Sequence, residues 1–150
     1  MANALAANGI EVSVRSGWEV EFGELHAEGG GPPRSLVHLA NFALPVNRGD
    51  YGSGAVEEMD GGGILAILME FAPEKASTAM FSGAGLPTTL DPADFSPQAL
   101  QRRIPGQAGV QRFFVAAGRP FGLYVVLGSA RMSAVLVPEV NRSLEAITIS

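Results

Sequence analysis

The sequence predicts an α+β fold, an antiparallel β-sheet packed against a C-terminal helix and a second, short helix. Apolar and polar residues alternate over 10–14 and 18–22, residues 111–127 read as strand, tight turn and strand, and residues 138–147 place apolar side chains at helical spacing. At 150 residues the chain suits one domain that buries roughly 68–70% of its unfolded surface. That domain is expected over residues 9–150, with residues 1–8 as a disordered N-terminus.

Ile10, Val12 and Val14 alternate with Glu11, Ser13 and Arg15, and Trp18, Val20 and Phe22 alternate with Glu19 and Glu21. Two period-2 runs separated by Ser16-Gly17 predict a β-hairpin with one buried face. Trp18 is its expected core anchor, so Trp18→Ala should cost ~3–5 kcal/mol. Residues 28–34 combine three Gly with two Pro and predict a flexible loop. A third strand follows over 35–44 and ends at Pro45.

Residues 47–63 hold six Gly among Asp50, Glu57, Glu58 and Asp60, which predicts a long irregular segment of the kind that often carries function. The apolar run over 64–71, broken only by Glu70, suits a central strand. Pro73 at a first helical position predicts a short helix to Phe81, with Glu74 in its first turn. Residues 86–109 contain four Pro and predict an irregular wrap, pinned by Phe95, with a helical turn at 97–100. In the later hairpin Gly118 and Arg119 are the expected turn, type II′ with Gly first. The last helix places Val140, Leu144 and Ile147 on one stripe, with Pro138 in its first turn.

Composition narrows the function classes. Zero Cys excludes disulfide and thiolate chemistry; it fits a reducing compartment, and the expected setting is cytoplasmic, although a secreted protein stabilised by its core alone fits the same count. No basic leader and no apolar run near the ~20 residues of a membrane span is present, so no membrane insertion is expected. Residues 1–94 hold 13 acidic and 4 basic side chains, a net −9, whereas residues 95–150 hold 2 acidic and 6 basic, a net +4. This asymmetry suits a charged partner or a second copy of the chain. The ten basic residues are scattered, without an aromatic-interleaved stripe, which disfavours nucleic acid.

With a Gly17-Trp18 turn after the opening strand, later antiparallel strands and a strand-then-helix ending, the chain resembles the PsbP-like fold. That group spans the photosystem oxygen-evolving subunit, DcrB-type proteins, LpqN-type lipoproteins and Ran-binding proteins. The resemblance covers most of the chain in element order and few residues in identity. The segments Gly49-Asp50-Tyr51-Gly52-Ser53-Gly54-Ala55-Val56-Glu57, Pro105-Gly106-Gln107-Ala108-Gly109 and Leu123-Tyr124-Val125-Val126-Leu127-Gly128 are similar to a group of uncharacterised actinobacterial proteins. The resemblance implies a PsbP-like sandwich and non-catalytic accessory or chaperone-like roles. The signal peptide and lipidated Cys of LpqN-type proteins have no counterpart here.

The acidic, Gly-rich loop is the strongest candidate site, with Asp50, Tyr51, Glu57, Glu58 and Asp60 as binding residues for a partner's basic patch. The spacing of a calcium loop is missing, and neither a metal nor a cofactor is expected. His38 and Glu70 are the expected buried polar residues, the first a hydrogen-bonded imidazole and the second an ion pair with Arg112, Arg119 or His38. Ser53 lacks the Gly two positions earlier that a nucleophile elbow needs. Arg48-Gly49-Asp50 spells an adhesion-type tripeptide of the kind that recurs by chance in Gly-rich loops, and Asn141-Arg142-Ser143 spells a glycosylation acceptor but lies on a predicted helix. The expected function is a non-catalytic protein-binding module that binds a protein partner or itself; the alternative is a small-molecule or lipid binder with an apolar pocket between sheet and helix.

Overall fold

The computed structural model describes residues 3–26 and 30–150. Among the described residues two sheets and one α-helix make up a mixed α+β architecture. Strands β1 (Asn3–Ala7), β2 (Ile10–Val14), β3 (Glu19–Leu25), β4 (Arg34–Ala40), β5 (Ile64–Glu70), β6 (Gly83–Ala84), β7 (Ala108–Ala116) and β8 (Arg119–Leu127) precede helix α1 (Ser133–Glu145) and strand β9 (Ile147–Ile149). The small sheet has the order β1-β2-β9 and the large one β3-β4-β5-β8-β7-β6. All pairings are antiparallel except that of β6 with β7.

The expected first hairpin is replaced by a corner between sheets. β2 pairs with β1 and β9, while β3 pairs with β4. The chain turns where the Trp18 amide donates to the Arg15 carbonyl at 3.0 Å, with Gly17 at φ +83°. A period-2 pattern fixes which face of a strand is buried and leaves its neighbour open. Ile10 and Val12 are indeed buried, but Trp18 is only half-buried. Asn3–Ala7, read as disordered from sequence, form β1; Met1 and Ala2 lie outside the described residues, as do Glu28 and Gly29 of the expected loop.

β5 is the central strand that its sequence predicts. Ile64, Ala66 and Leu68 face one layer with Val37, Leu39, Leu123 and Val125, where Leu136, Val137, Val140 and Leu144 of α1 and Ile10, Val12 and Ile147 of the small sheet close the core. Leu65, Ile67 and Met69 face the other layer with Leu36, Ala40, Tyr124 and Val126, under Leu44, Ala55, Val56 and Leu100 from two loops. Covering on both faces explains the unbroken apolar run. Phe42 and Phe113 are half-buried; Phe113 joins Phe71 and Phe81 in a ring cluster with centroids 5.2–5.8 Å apart, two of its three contacts edge-on.

Three local expectations are corrected. In place of a second short helix over 73–81, two 3₁₀ turns form at Pro73–Ser77 and Ala79–Phe81. Thr78 between them is extended, and its hydroxyl donates to the Lys75 carbonyl at 2.7 Å, a local bond that competes with helix continuation. The last helix starts at Ser133, so Pro138 lies inside it, and Ile147 belongs to β9. The β7–β8 turn is Ala117-Gly118, both at positive φ (52° and 75°), because Arg119 already pairs with Ala116. Two positive φ values define a type I′ turn.

Candidate functional site

The loop over residues 41–63 lies on the face of the large sheet opposite α1, and β3 and β4 supply its anchors. Glu19 Oε1 accepts from the Leu44 amide at 2.9 Å. Arg48 turns inward, its side chain 11% exposed, with Nη1 on the Pro45 carbonyl and Nη2 on the Glu21 carboxylate. Arg48 Nε donates to His38 Nδ1 at 3.1 Å. That leaves His38 Nδ1 as acceptor, so Nε2 carries the proton and donates to the Asp50 carbonyl at 2.9 Å.

His38 is 4% exposed. Burial, the largest influence, lowers its pKa; the Asp50 carbonyl raises it, the Arg48 charge lowers it, and the Asp50 and Glu21 charges raise it, leaving it below the ordinary 6.5. A neutral imidazole at pH 7 is what the Arg48 bond requires. An inward Arg48 also removes Arg48-Gly49-Asp50 from adhesion-type display.

Beyond Asp50 the loop satisfies itself. The Gly49 amide donates to the Ser53 carbonyl at 2.9 Å, and the Ala55 and Val56 amides to Gly52. Gly52 packs at φ +87° where a Cβ would come within 2.4 Å of Leu65 Cδ2, so no side chain fits there. Glu57 accepts from the Gly54 amide at 2.8 Å and pairs with Arg102 at 3.0 Å; Asp60 accepts from the Gly62 amide at 2.9 Å. Tyr51 meets Tyr124 edge-on at 6.0 Å. Of the five candidate binding residues, Glu57, Asp60 and Tyr51 are thus engaged in holding the loop. The Asp50 carboxylate and Glu58 are exposed without a side-chain partner among the described residues.

Among the described residues no group of three or more His, Cys, Asp or Glu side chains could hold a metal ion. What does form is a cavity of about 120 Å³ at the β3 edge, lined by Phe22, Gly23, Leu36, Val46 and the Glu21–Arg48–His38–Asp50 chain. Val46 stands 94% exposed at its rim.

Glu70, expected to be buried, is half-buried at the end of β5, and it makes an ion pair with Arg119: Nε to Oε2 and Nη2 to Oε1 both measure 3.0 Å. The Ser35 amide adds a bond at 3.2 Å. Burial, the strongest single influence, raises the Glu70 pKa, but Arg119 and Ser35 together outweigh it and hold it below the ordinary 4.5. Arg119 also donates to the Ser150 main-chain oxygen at 3.1 Å and stacks over Phe121, fastening the small sheet to the large one. Glu70 and His38 therefore serve separate networks.

Sequence reasoning missed Arg48 as the organiser of the loop. Its signal was a lone cation between a strand-end Pro45 and a Gly-rich acidic stretch. Asn141 is likewise structural: its side-chain amide donates to the Leu90 carbonyl at 3.0 Å and accepts from the Leu90 amide at 2.9 Å, so it is not free as a glycan acceptor. The layer between sheet and helix is filled by the core residues named above, and the described cavities line other parts of the molecule. Among the described residues no helix is long and apolar enough to cross a membrane. Comparison with protein-family models, curated proteins and solved structures finds no match to this chain.

Proposed function

We propose that this chain is a non-catalytic protein-binding module, accessory or chaperone-like, that receives a basic, extended segment of its partner along the free edge of β3. The observation that carries this is the edge itself. Seven residues, Glu19–Leu25, form the end strand of the large sheet and have no interstrand backbone partner besides β4 among the described residues. Strand addition to such an edge supplies affinity through main-chain hydrogen bonds and specificity through pockets for alternate side chains. The cavity beside Phe22 and Val46 is such a pocket.

Charge selects the partner's chemistry. Exposed Glu19, Glu21 and Glu24 line the edge, exposed Asp50 borders it, and Arg48 is the one cation among the described residues that line the cavity. The rim is net acidic and favours Lys or Arg on the incoming strand. A PsbP-like sandwich and a cytoplasmic setting belong to the same proposal, the first supported by the sheet with a helix near the chain's end, the second by the Cys-free composition.

The test is fluorescence anisotropy with a short peptide alternating Lys and Val, against the same peptide with Glu for Lys. The Lys peptide should bind and weaken as salt is added. Glu24→Lys combined with Asp50→Lys should abolish binding without moving the melting temperature. Equal binding of both peptides, or binding indifferent to the double reversal, would refute the proposal.

A further inference from the structure

β1 is a free edge of another kind. Asn3–Ala7 reads Asn-Ala-Leu-Ala-Ala, with no charge and no Pro, and four of its five residues are exposed. Its outer edge has no backbone partner among the described residues. Natural edge strands carry charges, prolines or bulges that block further pairing; β1 has none of them. β3 carries three glutamates, so two copies meeting there would set carboxylates against each other.

The register with β2 shows what a β1 partner must look like. Leu5 lies opposite Val12 and Ala7 opposite Ile10, and cross-strand partners share a face of the sheet. Val12 and Ile10 are each 1% exposed. The apolar face therefore runs from Ile147 of β9 through Val12 and ends in the open at Leu5, which is 42% exposed. Ala4 and Ala6 lie on the other face, opposite Ser13 and Glu11. An occupant of this edge must be uncharged, extended and apolar on the Leu5 side, a description that β1 itself meets.

We propose that β1 pairs antiparallel with β1 of a second copy, joining two three-stranded sheets into one sheet of six strands. The two-fold register that uses all five residues sets Leu5 against Leu5 of the partner subunit, Ala4 against Ala6 of the partner subunit and Asn3 against Ala7 of the partner subunit. Such an interface is isologous and closes at two copies. Two leucines then continue the apolar face across the axis, and no charge is buried.

The chain contains no Cys, so one introduced thiol reports on this contact alone. At protein concentrations on the order of 100 μM, far above a Kd of about 1 μM, the native chain should sediment at twice 15.6 kDa. Leu5→Lys should sediment as a monomer with its near-UV circular dichroism retained. Leu5→Cys should cross-link to a dimer on mild oxidation, since facing Cβ atoms in a non-hydrogen-bonded pair come within disulfide reach, whereas Glu11→Cys, on the neighbouring strand, should not. A monomeric native chain, a Leu5→Lys variant that stays dimeric, or equal cross-linking from both thiol variants would overturn the proposal. None of these outcomes depends on the β3 edge.

Discussion

Glu70 and Arg119 join β5, β8, the first residues of β4 and the Ser150 oxygen, and a double-mutant cycle on this pair measures how much the junction contributes. The facing N and O atoms lie 3.0 Å apart, and for unit charges at about 4 Å the gross attraction is about 4 kcal/mol at an effective dielectric of about 20. Desolvation of both groups offsets part of it. The side chains keep 16% and 21% exposure, so removing one partner should cost about 2–3 kcal/mol, at or below the lower end of what a fully buried pair loses. Glu70→Gln and Arg119→Met should each destabilise by about 2–3 kcal/mol, and the double variant by about 2 kcal/mol less than their sum. Urea unfolding at neutral pH gives these values if the m-value is unchanged. The Glu70 pKa is lowered on folding, so its contribution is fully present above the ordinary 4.5 and is lost as pH falls through the folded value. Repeating the cycle on the acid side should erase the coupling. A coupling below about 0.5 kcal/mol at neutral pH would refute the account of the junction.

His38 makes a second pH prediction. Its folded pKa lies below the ordinary 6.5, so the unfolded chain takes up its proton first, and the stabilisation present above 6.5 declines as pH falls towards the folded value. His38→Gln should flatten the melting temperature between about pH 7 and pH 5; an unchanged slope would show that His38 does not titrate as described. Phe114, 1% exposed, should cost ~3–5 kcal/mol when cut to Ala, whereas half-buried Trp18, capped by Arg15 at 5.8 Å, should cost only ~1–3 kcal/mol. Equal losses in thermal denaturation would put Trp18 back in the core. Ala117 holds a positive φ of 52° that Asn tolerates better, and the β1–β2 turn already uses Asn8-Gly9. Ala117→Asn should therefore raise stability by up to about 1 kcal/mol; a loss measured by urea denaturation would contradict the type I′ assignment.

Much of the fold was legible because burial writes a period into the sequence. The two-sided run of β5 and the Val140–Leu144 stripe could be read directly. What could not be read is strand partnership: β2 and β3 share one alternating pattern yet serve different sheets. Pro138 misplaced the helix start, since its fixed φ suits a first turn as well as an exposed interior position. At the site, residue type revealed that His38 and Glu70 need partners and that the loop is acidic. It did not reveal that Glu57 and Asp60 accept bonds from the loop's own amides, or that Arg48 folds inward on Glu21 and His38. The Arg48 contacts join residues 10 and 27 positions apart, with no local signature.

Amide hydrogen exchange with and without the alternating Lys–Val peptide reads the β3 edge itself, because strand addition must protect the outward amides of the edge that accepts it. Protection should rise at alternate positions within Glu19–Leu25 and leave residues 56–60 unchanged. Protection confined to the acidic loop, or spread over α1, would place the partner elsewhere and contradict the β3 edge as the binding site.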